Sequence, residues 1–261
     1  MLNFLFVFSI SFLHSEHIDT NKIKKIQSNL SQKNIFLEMM KYSIDKNIAA
    51  FKKKDPVISK DYLTFYNTRI TNSKSKYNIL VLSDYTCPFC QQTNNEINYL
   101  LKKSSKKFNI IHGLFPINSD CNNKIKNNKK TYSCISAYTA ICAEKYNKFN
   151  EANDFLYKYS TIYSTKPSSL IDKIWTSRFI KRENQRLIEK TEENLNLKNN
   201  ELKNCINSDY PKIKLQAELA LFKNLKIKQT PFVLMNEKEI SAHLLKKEDL
   251  FNYFLNKLEE N

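Results

Sequence analysis

Glycine is all but absent: the 261 residues contain one, Gly113. Turns must therefore be built from Asn, Asp and Ser, whose short polar side chains support turn conformations. No glycine-rich loop can cradle a phosphate, so nucleotide-binding readings lose their main device. Arginine is nearly as scarce, at Arg69, Arg178, Arg182 and Arg186 only. The net charge of +16 is otherwise lysine, spread from Lys22 to Lys257 among asparagines, isoleucines and tyrosines. Base recognition leans on arginine and aromatic platforms. The excess charge thus reads as a solvated lysine surface, and no nucleic-acid partner is expected. The N-terminal apolar run, MLNFLFVFSISFL at 1–13, is too short to span a bilayer.

What is present starts with that run. Followed by the polar HSEH, it reads as the apolar core of a secretory signal within a leader at 1–16, although no Lys or Arg precedes it. Ser15 is the expected last residue removed; an uncleaved anchor and a buried N-terminal strand are the alternatives. Export would put the six cysteines in an oxidising compartment, where disulfide chemistry is expected. Hydrophobic residues at 41% and aromatics at 12% are enough for one sizeable core plus an appendage, or for two small domains.

Along the chain, residues 17–55 form an N-terminal helical arm. Ile23, Ile26 and Leu30, then Phe36, Met39, Met40, Ile44 and Ile48, recur at helical spacing with a phase break at 31–34. The stripe packs on the protein's own core or serves as a dimerisation arm. Residues 62–70, YLTFYNTRI, are aromatic and β-branched and read as a strand. Strands follow at 79–82 and 108–114, and helices over 131–149 and, with breaks at Pro167 and 209–211, over 151–226. A strand at 230–235 opened by proline, a hairpin partner at 239–242 and a closing helix at 246–260 complete the chain. No internal repeat is visible.

The chemistry concentrates at 77–101, YNILVLSDYTCPFCQQTNNEINYLL, where a strand runs into a helix through Cys87 and Cys90. A thiol at a helix N-terminus faces unpaired N–H groups and the positive end of the dipole, which favour the thiolate. Pro88 fits the first helical position, where its missing N–H costs nothing. Three residues of helix bring Cys90 back to the face of Cys87, so the sulfurs can form a disulfide. Pro88 and Phe89 supply no imidazolium. Asp84, at the strand end, either caps the turn or orients water for Cys90. His112, between Ile111 and Gly113, reads as structural.

A strand entering CxxC at a helix start, a later strand opened by Thr230-Pro231, and a helical block between them resemble the thioredoxin-like fold of the DsbA type. LSDYTCPFC is similar to the F-S-D-x-x-C-P-x-C signature of extracytoplasmic DsbA-like proteins, including those fused to or paired with vitamin K epoxide reductase homologues. FPINSDCN, CISAYTAICAEKYNKFNEANDFLY and KNCINS resemble parts of the helical insertion in that group. The implied architecture is α/β: a thioredoxin-like domain at 56–261 with a helical insertion at about 131–226 and the helical arm as an extension. Gln229 and Asn236-Glu237 depart from the family's usual glycines. The resemblance implies a cis peptide at Thr230-Pro231 lying against the CxxC, with the Thr230 backbone open to an extended substrate.

On this reading Cys87 is the exposed partner and Cys90 the buried, resolving one. Cys134 and Cys142 lie eight residues apart on one predicted helix, about 12 Å of rise, so they cannot bridge each other. Cys121–Cys134 with Cys142–Cys205 is the favoured pairing, over swapped pairing or free thiols. Zinc on Cys87 and Cys90 would need two more ligands that no second CxxC or close Cys/His pair supplies. Neither metal nor cofactor is expected. The expected function is an extracytoplasmic, periplasmic thiol-disulfide oxidoreductase acting on exported protein thiols and reoxidised by a membrane partner of the DsbB or vitamin K epoxide reductase type. An isomerase or reductase working as a homodimer through the arm, and a non-enzymatic binding protein, are the alternatives.

Overall fold

The computed structural model describes residues 77–104, 108–126, 132–164, 177–222, 227–235 and 238–240, with isolated positions 38, 41, 45, 66, 69, 225, 242, 252 and 256. The chain divides into two compact units, Pro56–Glu239 and a second made of Met1–Asp55 with Ile240–Asn261. In the second unit Glu38, Lys41, Asp45, Ala242, Asn252 and Asn256 are helical, and Lys41 Nζ lies 3.1 Å from Glu38 Oε1. The expected leader, and all of the arm except those three positions, lie outside the described residues. Ala242, expected in a hairpin strand, is helical instead.

The first unit is built on a four-stranded sheet of order β2-β1-β3-β4, with β1 at Tyr77–Ser83, β2 at Phe108–Leu114, β3 at Phe232–Met235 and β4 at Lys238–Ile240. Helix α1, Pro88–Ser104, crosses between β1 and β2, which pair in parallel from Tyr77↔Phe108 to Ser83↔Leu114. On its other edge β1 pairs antiparallel with β3, from Ile79↔Met235 to Leu82↔Phe232. Every residue of β1 and β2 is buried, which is why both are mostly apolar, with Ile79–Leu82 continuous and Asn109 and His112 interrupting β2.

Gly113 sits opposite Leu82 in the parallel register. A Cβ there would fall inside the Leu82 side chain and within 3.3 Å of Leu80 Cδ1. The one glycine is kept by close packing between strands rather than by a turn.

Between β2 and β3 the described residues form helices α2 (Ser133–Lys145), α3 (Phe149–Ser164), α4 (Ser177–Asn194), α5 (Glu201–Asn207) and α6 (Tyr210–Leu221). The helix expected over 131–149 therefore ends at Lys145. Asn147 takes a left-handed φ of 56°; its N–H donates to Glu144 C=O at 3.0 Å and the Lys148 N–H to Ala143 C=O at 2.9 Å. That is a Schellman ending with asparagine in the glycine place. Asn196, at φ 54°, ends α4 the same way, with N–H bonds from Asn196 to Glu193 and from Leu197 to Glu192.

The strand expected at 62–70 is corrected at both described positions: Tyr66 lies in a turn and Arg69 in a 3-10 turn. Arg69 N–H donates to Tyr66 C=O at 2.8 Å, which aims both side chains at one buried carboxylate. Tyr66 OH donates to Glu218 at 2.9 Å and Arg69 Nη1 at 3.0 Å. Arg69 also reaches Glu144 at 2.9 Å and the His112 carbonyl at 3.3 Å. Strand geometry, alternating sides, could not bring two residues three apart onto one acceptor. Burial works against the charge of Arg69, but Glu218 and Glu144 outweigh it and hold the guanidinium protonated. Lys214 bonds Glu144 at 3.0 Å, so two cations face two anions.

Candidate functional site

Asp84 begins the site, just past β1. Its Oδ1 accepts from the Thr86 N–H at 2.6 Å and the Thr86 hydroxyl at 2.7 Å. Its Oδ2 accepts from the Ile117 N–H at 2.5 Å and from the Ser133 hydroxyl, and its carbonyl accepts the Cys87 N–H at 3.1 Å. Asp84 is buried and engaged by four donors. It fixes the turn that delivers Cys87, as the capping alternative expects.

Pro88 is the first residue of α1, so Cys87 stands in the N-cap place. The Cys90 N–H donates to Cys87 Sγ at 3.4 Å, as an N3 N–H would to a capping serine oxygen. The Cys87 thiol in turn donates to the Thr230 carbonyl at 3.5 Å. Both cysteines are free thiols, Cys87 half-buried and Cys90 buried. A hydrogen bond from the Cys90 thiol, together with the Thr230 side chain and the Cys90 N–H, lowers the Cys87 thiol to about 6 against the opposing effect of burial and Asp84. Burial and the adjacent Cys87 push the Cys90 thiol well up. The environments separate an accessible thiolate from a protonated inner thiol.

The Thr230-Pro231 peptide bond is cis, and Thr230 brings both its carbonyl and its side chain to the sulfurs. The Thr230 Oγ1 is buried without an ordinary hydrogen-bond partner, yet it acts on Cys87 and Cys90 alike. Phe89 is 66% exposed beside the pair. His112 is not part of this arrangement: it is buried, 6.4 Å from the Phe149 ring, and burial lowers its imidazole to about 4.

The remaining cysteines form two disulfides, Cys121–Cys134 and Cys142–Cys205. Among the described residues no group of His, Cys, Asp or Glu could hold a metal. No described helix is long and apolar enough to cross a membrane.

Two features of the site were not read from the sequence. An amide chain ties Tyr85, in the Asp84 turn, to α1 and α3: Tyr85 OH donates to Asn153 at 3.0 Å, Asn153 to Asn94 at 3.1 Å, and Asn94 and Asn98 to Asp154 at 3.1 and 2.9 Å. The Tyr157 ring of α3 packs tilted against Tyr85, with centroids 4.8 Å apart, and the Tyr157 carbonyl accepts from the Gln91 side chain at 3.2 Å. The only signal for them was a cluster of asparagines in α1, which in so asparagine-rich a chain carries little information.

Comparison with known proteins places this geometry. The family model described as "Thioredoxin" matches residues 65–250. No curated protein matches the chain. Among solved structures, oxidised BdbD from Bacillus subtilis is 14% identical, with 76% of this chain and 95% of that one covered and a TM-score of 0.52. Alpha-DsbA1 from Wolbachia pipientis is 18% identical over 73% of this chain and 89% of its own, TM-score 0.50. The thiol-disulfide exchange protein alpha-DsbA2 of the same organism is 14% identical over 83% and 96%, TM-score 0.49.

Proposed function

Because the chain belongs to the thioredoxin family, we propose that it is a thiol-disulfide oxidoreductase whose Cys87/Cys90 pair forms disulfides in exported proteins. The observation that best supports this is the geometry of the pair: the partly exposed Cys87 Sγ at the start of α1 accepts the Cys90 N–H at 3.4 Å beside the Thr230 carbonyl at 3.5 Å, with the Cys90 thiol buried behind it, an arrangement that lowers the Cys87 thiol and raises that of Cys90. Stabilising the Cys87 thiolate stabilises the reduced pair, which makes the oxidised pair the better oxidant.

In the oxidising direction a substrate thiolate attacks Cys87 Sγ and the Cys87–Cys90 bond breaks. Cys90 leaves with the electron pair and takes a proton, as its raised pKa favours. A second substrate thiolate then attacks the substrate sulfur of the mixed disulfide and expels Cys87 as a thiolate. The protein is left as a dithiol and the substrate with a new disulfide. Thr230, with its carbonyl at Cys87, lines the path of an extended substrate chain.

Two disulfides in the same chain support an oxidising, extracytoplasmic setting. A leader at 1–16 would provide export, and a membrane oxidant of the DsbB or vitamin K epoxide reductase type would restore the Cys87–Cys90 bond. The decisive experiment mixes the oxidised protein with a reduced, unfolded disulfide protein and follows thiol loss, alongside a redox titration against glutathione. Stoichiometric thiol loss and an oxidising couple are expected. A couple as reducing as a cytosolic thioredoxin, near −270 mV, would overturn the oxidant reading in favour of a reductase.

A further inference from the structure

The disulfide Cys121–Cys134 joins the two arms that hold Asp84. Ile117, whose N–H reaches Asp84 Oδ2, lies on the loop leading to Cys121. Ser133, whose hydroxyl reaches the same oxygen, is the residue before Cys134. The Cys121 loop is also held at its carbonyl by Gln216 at 2.8 Å, by local turns at Asn118, by the Asn122 amide, which donates to the Pro116 carbonyl at 2.9 Å, and by the Phe115 N–H on the Ser83 carbonyl at 2.8 Å. The bridge is therefore the covalent clasp between the two donors of one carboxylate oxygen.

We propose that Cys121–Cys134 is a second redox site, opened by a dithiol reductant, whose reduction weakens the Cys87 thiolate through Asp84. The two non-catalytic disulfides differ in access. Cys142 and Cys205 are both buried, at 0% and 6% exposure, whereas Cys134 is half-buried at the start of α2. A dithiol's thiolate attacks Cys134 Sγ, the Cys121–Cys134 bond breaks, and Cys121 leaves with the electron pair and takes a proton. The reductant's second thiolate attacks its own bridged sulfur and expels Cys134. The products are an oxidised dithiol and two protein thiols.

The groups that act on Cys87 are Cys90, Thr230 and Asp84, and Asp84 is the one that opposes ionisation. While four donors share its charge, that opposition is small. Once the arms part, Asp84 Oδ2 loses donors, its charge is less neutralised, and a second negative charge beside it is disfavoured. Reduction at Cys134 thus lowers the reactivity of Cys87 without touching the CxxC.

The proposal draws its physiological meaning from the oxidant reading, but its test does not depend on it. In the full chain, iodoacetamide alkylation of Cys87 is measured against pH for the wild type, for Cys121→Ser/Cys134→Ser, and for Ser133→Ala. Both variants are expected to move the midpoint up by about one unit. A dithiothreitol titration read by mass spectrometry should open Cys121–Cys134 before Cys142–Cys205. Unchanged midpoints, or Cys142–Cys205 opening first, would overturn it. If the double variant does not fold, Ser133→Ala decides alone. Failure of the oxidant reading would instead appear as a wild type that alkylates as expected but does not oxidise a reduced protein.

Discussion

At the scale of single residues, the site depends on what surrounds sulfur rather than on sulfur itself. The buried Thr230 side chain helps lower the Cys87 thiol, so Thr230→Val should raise the pH midpoint of Cys87 alkylation above that of the wild type. A midpoint left in place would mean that the Cys90 thiol and N–H sustain the thiolate without Thr230. His112 makes an opposite use of burial. Its imidazole is lowered from 6.5 to about 4, so the unfolded chain takes up a proton that the native one refuses. The stability this provides is complete above pH 6.5 and is lost as pH falls toward 4, a difference on the order of 3 kcal/mol. His112→Gln should flatten that part of the profile in urea denaturation at pH 7 and pH 4.5. Asp154 and Arg69, the charged groups acting on His112, are common to both proteins and should cancel in the comparison.

At the scale of elements, asparagine replaces glycine where helices must end. Asn147 already accepts the left-handed conformation, so Asn147→Gly should leave stability equal or slightly higher. Asn147→Ala should cost about 1 kcal/mol, read from the shift in denaturation midpoint. These endings show where the sequence was legible and where it was not. The strand at 108–114 and the strand-to-helix join at Cys87 could be read directly, because a short, mostly apolar segment with a β-branched centre and a proline after the cysteine each carry a local signal. The end of α2 could not, because Asn147 is one asparagine among many. The strand expected at 62–70 failed for a different reason. Aromatic and β-branched residues did signal burial, but the partners that turn Tyr66 and Arg69 inward, Glu144 and Glu218, come from helices far along the chain.

At the scale of the whole molecule, the Arg69 cluster connects the segment before β1 to β2, α2 and α6. Its members are buried, with only Lys214 partly exposed. Burial pushes the Glu218 carboxyl up, and Arg69, the Leu114 N–H and Tyr66 pull it back. Arg69→Met would leave the buried Glu218 without its cation and Glu144 with Lys214 alone, and a loss of about 3–5 kcal/mol is expected in urea denaturation. A loss under about 1 kcal/mol would mean that water reaches the cluster.

The pairing of the cysteines has a further consequence, for biogenesis. Each bridged cysteine's partner is the next one along the chain, Cys121 with Cys134 and Cys142 with Cys205, and the free thiols Cys87 and Cys90, the proposed redox pair, are also consecutive. Six cysteines allow about 15 complete pairings, and this is the one that order of emergence alone produces when a chain appears N-terminus first. Cys205 follows Cys142 by 63 residues. At about 5–20 residues per second the wait is roughly 3–13 s. During it no later cysteine competes for Cys142, so the molecule acquires its own bridges without needing them reshuffled.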